Sequence, residues 1–197
     1  DYRRLLDEHA RAGADVTVAA LPCAEAEIGE FGAIRVDVDG RIVEFREKPK
    51  DADARLGMKA DPALLARCGV GIDRPYLASM GIYLFRKAYL RASLESSRRH
   101  DFGRDVLPHA VASGRVQSFL FDGYWRDIGT IRAFYDAHMD LVKADPPFHF
   151  NDSEWPFYTH PRYLPGSRLN AVRINRSIVS EGTTLDECTV EDSIVGV

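Results

Sequence analysis

The stretch "RVQSFLFDGYWRDIGTIRAFYDAHMDLVKA", Arg115 to Ala144, joins a strand pattern to a helix pattern. "RVQSFLF" is β-prone, whereas the apolar positions after Thr130 recur at helical spacing. A strand handing over to a helix in so few residues is the unit of an α/β layer protein. The junction between them, "GYWRDIGT", carries two aromatics, an arginine and a carboxylate. In open α/β sheets, ligands bind outside the carboxyl ends of strands, which is where Asp127 falls. The alternative role for Asp127 is a helix N-cap. Thr130 is equally placed to cap, which leaves Asp127 less needed for that purpose.

Working toward the N-terminus, the same alternation continues. "DFGRDVLPHAVASG", Asp101 to Gly114, reads as a helix with an Asp to cap it and a Gly to stop it. "YLASMGIYLF" reads as a strand and "RKAYLRASLESS" as the helix after it. Ser79 and Gly81 fall mid-strand, and a strand glycine marks close approach of a ligand or another backbone. Residues 50 to about 75 read as a charged, Ala-rich excursion with one short helix. "GAIRVDVDGRIVEFREKP" alternates about Asp39-Gly40, a hairpin signal. It ends on Glu47 and Lys48 before Pro49. A proline disfavours the helical region for the residue before it, so Lys48 is expected to be extended. A lysine fixed there is a point charge suited to phosphate, and Glu47 suits hydroxyls. The plain alternative for both is a solvated strand end. "ADVTVAAL" is a buried strand, and "YRRLLDEHARAG" a helix ended by Gly13 and headed by Asp1, a candidate cap.

Toward the C-terminus the texture changes. "DPPFHFNDSEWPFYTHPRYLPGSR", with five prolines and many aromatics, reads as a linker that packs on something. After it, Val172, Ile178, Thr184 and Val190 recur every six residues, with Val179 and Leu185 alongside. That period with short β-prone segments marks a parallel β-helix, with strands of a sandwich as the alternative. The expected organisation is an α/β domain over 1–144, a linker over 145–170 and the start of a β-helix over 171–197.

Composition excludes several classes. The 197 residues are 45% hydrophobic, enough for a proper core, and the net charge is −4, so no basic excess advertises nucleic acid or an anionic membrane. No apolar run approaches the ~20 residues of a membrane span. Cys23, Cys68 and Cys188 are scattered without a CxxC, which points to a reducing cytoplasm. The histidines show no metal-ligand spacing, and no Gly-rich phosphate loop is present. Both ends of the chain look cut, so it reads as an internal piece of a longer protein.

The pieces "DYRRLL", "FGAIRVD", "IVEFREKP", "YLASMGIYLF", "DFGRDVLP", "GYWRDIGTIRAFYDAHMDL", "FYTHPRYLPGS" and "SIVSEGTTLDECTVEDSIVGV" occur in this order over nearly the whole chain. Together they resemble the glucose-1-phosphate adenylyltransferases, also called ADP-glucose pyrophosphorylases. "EKP" is common to sugar nucleotidyltransferases; "ASMGIY", "HDFG", "YWRDIGT" and "RYLP" together belong more specifically to the ADP-glucose branch. The resemblance implies a Rossmann-like mixed-sheet nucleotidyltransferase domain, here incomplete, a linker and a truncated left-handed parallel β-helix. It implies a cytoplasmic homotetramer under an anionic metabolite effector, making ADP-glucose and pyrophosphate from ATP and glucose 1-phosphate for glycogen or starch.

By the same resemblance, Asp127 and Asp1 match the pair that holds Mg²⁺, a cation commonly bound by one or two carboxylates plus substrate phosphates. Lys48 matches the lysine on the phosphate of glucose 1-phosphate, and Glu47 its neighbour on the sugar. Ser79, Asp101 and Phe102 match positions lining the sugar pocket, Gly32 the backbone near the sugar nucleotide, and Trp125 an aromatic wall beside the metal aspartate. Arg162 stands as an anion contact or a surface charge. The family's N-terminal Gly-rich loop is missing from this sequence, so the 197-residue chain alone is expected to be inactive. Rival readings are a UTP- or GTP-dependent sugar-phosphate nucleotidyltransferase and a non-catalytic regulatory subunit. A hexapeptide-repeat acyltransferase would need a catalytic His on a coil, and no His follows His160.

Overall fold

The structure, a computed structural model, describes residues 2–67, 69–71, 73–95, 101–150, 152–154, 156–158 and 160–196. Asp1 and Cys68, both singled out above, lie outside the described residues. The chain divides into two compact units, Asp1–Asp122 and Gly123–Val197.

The first unit is built on a five-stranded mixed sheet. Its strands are β1 (Val16–Cys23), β2 (Gly32–Val36), β3 (Ile42–Glu47), β4 (Tyr76–Phe85) and β5 (Val116–Leu120), in the order β3-β2-β4-β1-β5. Only β1 and β5 run parallel. β2 and β3 form the expected hairpin. Gly40 takes φ +79 in its turn, and Asp37 Oδ1 accepts from the Asp39 and Arg41 N–H groups.

That turn reaches the opposite edge of the sheet. Arg41 bridges Gln117, and Gly40 C=O accepts from both Ser118 N–H and Ser118 Oγ, at 2.9 and 2.8 Å. Pairing the outer strands in this way removes part of the exposed edge that would otherwise invite another chain.

Helices cover both faces because alternate strand residues point to opposite sides. On one face Val16, Val18, Ile34, Ile42, Phe45 and Leu77 pack with Leu64 and Leu65 of α3 (Pro62–Arg67) and Leu107 and Ala110 of α5 (Leu107–Ser113). Fully burying each of Ile34, Ile42 and Leu77 contributes about 1.5–3 kcal/mol. On the other face Leu5 of α1 (Tyr2–Ala12) packs with Ala19 and Phe119. Gly13 ends α1 at φ +55 as the sequence suggests. The excursion after Pro49 holds two short helices, α2 (Ala52–Arg55) and α3, where one was expected. Two short helices of about one and nearly two turns fit because Met58 and Ala60 are buried between them. Cys23 is buried, which, with Glu27 second, pushes its thiol pKa up to about 12 and leaves it inert as a nucleophile. α4 (Lys87–Glu95) follows β4 directly.

The second unit carries α6 (Ile131–Leu141) and four short strands, β6 (Arg168–Asn170), β7 (Arg173–Val179), β8 (Thr184–Asp186) and β9 (Thr189–Val195). β6 lies in the last residues of the expected linker. β6 pairs β8 and β7 pairs β9, both parallel, as successive coils of a β-helix require.

The six-residue recurrence is not the stacking repeat. Ile178 pairs Ile194 and Arg176 pairs Asp192, a spacing of 16. The coil is shorter than three full hexapeptides because tight corners close it. Ala171 and Glu187, and Arg176 and Asp192, take positive φ at equivalent points of successive turns. Thr184 is exposed, and its neighbour Leu185 is partly buried instead. Side-chain ladders run between the coils: Asn170 donates to Asp186, Asn175 to Glu191 at 2.9 Å, and Arg176 to both oxygens of Asp192 at 2.6 and 2.7 Å. Among the described residues, no helix is long and apolar enough to cross a membrane.

Candidate functional site

The residues singled out from the sequence fall in both units. In the first unit, Glu47 ends β3 opposite Gly32, which starts β2. Its carboxylate fills the space that a side chain at Gly103 would need and adds to the crowding at Gly32, where the Phe45 ring is the nearer obstacle at 2.5 Å. A Cβ at Gly32 would fall 3.1 Å from Glu47 Oε2, and one at Gly103 only 2.5 Å from the same oxygen. Gly103 belongs to a π-helical turn, Phe102–Val106, capped by Asp101, whose Oδ1 accepts from Arg104 N–H at 2.8 Å. Gly32, Glu47, Asp101 and Gly103 are therefore close neighbours.

β4 completes this face. Ala20 pairs Ser79 and Val18 pairs Tyr83, so two steps of β1 face four steps of β4. The extra residues form a bulge with Gly81 at φ +71, and Gly81 N–H donates to Ser79 Oγ at 3.3 Å. Bulges re-aim side chains next to functional sites. Here Ser79 Oγ meets the Tyr83 hydroxyl at 3.5 Å, and the Tyr83 ring stacks on Phe102, with centroids 6.1 Å apart. Burial pushes the Tyr83 hydroxyl pKa up, the Ser79 contact works against that, and the fields of Glu47 and Asp101 push it up further. Ser79, Phe102, Asp101, Glu47 and Gly32 thus share one patch with Tyr83 at its centre. Sequence reading missed Tyr83; its signal was an aromatic four residues from Ser79 on the same strand, hence on the same face.

Lys48 is exposed and follows Glu47 directly, but its backbone is not extended as Pro49 suggested. Its φ is +45. The chain must turn sharply off β3 while Lys48 N–H still donates to Phe31 C=O at 3.1 Å, and that last rung of the hairpin outweighs the local preference. Among the described residues, no carboxylate lies within ion-pair distance of Lys48. Two carboxylates, an aromatic floor and an exposed ammonium beside them offer hydrogen-bond acceptors, an apolar surface and a positive charge within one patch.

In the second unit, Trp125 and Asp127 occupy the segment before α6. Thr130 is the N-cap, its Oγ1 accepting from Ala133 N–H at 3.1 Å, so Asp127 is not needed to cap the helix. Asp127 is exposed, and its Oδ1 accepts from Gly129 N–H at 3.1 Å. Tyr124 and Arg126, on either side of Trp125, both bond Asp140 of α6, at 3.0 and 2.8 Å. Lys143 Nζ donates to the other Asp140 oxygen at 2.5 Å. Lys143 first, with Tyr124 and Arg126, holds the Asp140 carboxyl below the usual carboxylate range against the opposing effect of burial. Sequence reading also missed Asp140, whose only signal was an acid on the helix face that packs inward.

Among the described residues, no three His, Cys, Asp or Glu side chains cluster around a metal position. The exposed carboxylate of Asp127 is nonetheless a hard oxygen donor of the kind Mg²⁺ uses singly or in pairs with phosphate. Arg162 is exposed.

A family model described as nucleotidyl transferase matches residues 1–144. A second, described as the GLGC left-handed parallel beta-helix domain, matches residues 162–197.

Proposed function

The chain belongs to the nucleotidyl transferase family, and from that premise we propose that it serves the synthesis of ADP-glucose and pyrophosphate from ATP and glucose 1-phosphate. The observation that carries this reading is the patch of Gly32, Glu47, Ser79, Asp101 and Phe102 beside the exposed Lys48. The left-handed β-helix match and the sequence resemblance support the ADP-glucose branch.

In the reaction, a phosphate oxygen of the sugar phosphate attacks the α-phosphorus of ATP in line. The bond from that phosphorus to the β-phosphate's bridging oxygen breaks, and pyrophosphate leaves with the electron pair. Little covalent help is needed, so positioning and charge neutralisation do most of the work. Glu47 accepts hydrogen bonds from sugar hydroxyls, with its carboxylate set against Gly103. Phe102 and Tyr83 offer an apolar wall to the ring. Lys48 neutralises the sugar phosphate. Asp127, with Asp1, would hold Mg²⁺, which when bound neutralises phosphate charge. Losing a metal carboxylate would cost roughly 3–5 kcal/mol of barrier, about two to four decades of rate. A homotetramer controlled by an anionic metabolite is part of the same proposal.

The test is pyrophosphate release by the full-length protein, with ATP, UTP and GTP offered in turn alongside glucose 1-phosphate. ATP should be preferred, and Lys48→Ala should raise KM for glucose 1-phosphate far more than for ATP. Preference for UTP or GTP would move the protein to another sugar-nucleotide branch. Absence of turnover with every nucleotide would favour a regulatory subunit.

A further inference from the structure

We propose that Asp140 is a positioning residue that sets the segment bearing Asp127; this rests on the reading of Asp127 given above. Asp140 is the buried residue of α6, only 9% exposed, where an amphipathic helix would place an apolar side chain. A buried carboxylate is costly unless its lone pairs are filled, and this one has three donors. Tyr124 and Arg126 share Oδ2, and Lys143 takes Oδ1. Those partners are not scattered over the fold. Two of them sit three residues and one residue before Asp127.

The consequence is a segment held at both ends. Upstream, Tyr124 and Arg126 are tied down on α6. Downstream, Gly129 N–H bonds Asp127 Oδ1 and Thr130 caps the same helix. Asp127 stands between these anchors, exposed, and among the described residues its Oδ2 accepts no hydrogen bond. Its position therefore follows from the Asp140 cluster without any contact between the two acids. Outer partners that orient a ligand side chain typically contribute 10–100-fold to metal affinity or activity. A purely structural staple of α6 would instead lower stability and leave the chemistry unchanged in the molecules that remain folded.

Asp140→Asn keeps the volume but leaves one acceptor oxygen for three donors. In the full-length protein it should lower kcat by about 10–100-fold. KM for glucose 1-phosphate should stay within about twofold, because that substrate meets other residues. Mn²⁺ binding, read from the electron paramagnetic resonance of the free ion, should weaken in parallel. Amide exchange should rise selectively over residues 123–130. Tyr124→Phe, which removes one hydroxyl, should act in the same direction more weakly, and Asp140→Glu should restore part of kcat. An unchanged kcat and Mn²⁺ affinity in Asp140→Asn would overturn the proposal, as would a loss matched wholly by a lower folded fraction. Asp127→Ala separates the premise from the inference. If it leaves kcat and Mn²⁺ binding intact, the premise falls and the positioning role falls with it. If it abolishes both while Asp140→Asn behaves normally, the positioning role alone is overturned.

Discussion

The carboxylate of Glu47 occupies the space that a side chain at residue 103 would need: a Cβ there would lie 2.5 Å from Oε2 and 2.9 Å from Cδ. Gly103 is thus glycine for a reason of contact, since its φ is not in the left-handed region. Gly103→Ala should displace Glu47, and because the displaced atoms end a flexible side chain, stability should change by less than ~1 kcal/mol. KM for glucose 1-phosphate should rise about tenfold, near the cost of one charge-assisted hydrogen bond. Thermal melts and initial rates on the same preparation check this; an unchanged KM would mean that Glu47 does not touch the sugar.

Lys48 sits at φ +45, where a side chain costs roughly 1–2 kcal/mol relative to glycine. Local strain of this kind gathers at functional sites. Lys48→Gly should be more stable than Lys48→Ala by about 1 kcal/mol, while both lose affinity for the sugar phosphate equally. Chemical denaturation of the pair measures the first part. Equal stabilities would show that the turn relaxes when the lysine is gone.

Gly81 makes the β4 bulge at φ +71, with nothing within 4 Å of the position a Cβ would take. Gly81→Ala therefore meets no clash, and its cost is conformational, about 1–2 kcal/mol. If the bulge flattens to relieve the strain, Ser79 and Tyr83 part, so KM for glucose 1-phosphate should rise along with the loss of stability. A melt that falls while KM holds would place the bulge outside the binding patch.

His9 Nδ1 lies 2.8 Å from Thr17 Oγ1 beneath α1. Burial first and the Arg86 charge second lower its pKa, with Asp15 opposing them. A group whose folded pKa lies below its unfolded value favours the neutral form on folding. Its contribution is complete above the unfolded value of about 6.5 and is lost as pH falls below it. His9→Gln should flatten the dependence of stability on pH between about 7 and 5. Identical slopes for wild type and variant in denaturant titrations at several pH values would exclude His9 as the group responsible.

Much of the architecture was legible along the chain. The strand-helix alternation, the Asp39-Gly40 hairpin and the Gly13 and Gly114 stops depend on contacts within a few residues, which is the range over which sequence pattern speaks. Thr130 as the cap of α6 was equally local. The six-residue recurrence indicated a β-helix, but the stacking of 16 depends on corners at Ala171, Arg176, Glu187 and Asp192, and of these residue types only Asp is one that favours positive φ.

What the sequence by itself determined is the kind of protein: a mixed α/β layer, a proline-rich link and coiled β-strands, with motif residues that name the family. Only the tertiary structure decided that Glu47 lies against Gly103, 56 positions later, that Tyr83 joins Ser79 to Phe102, and that Lys48 turns instead of extending. The reason is physical. Secondary structure answers to the neighbouring few residues, whereas a site is made where strands distant in sequence are brought side by side. There, the space left by a missing Cβ or a satisfied buried carboxylate such as Asp140 depends on groups that no local pattern records.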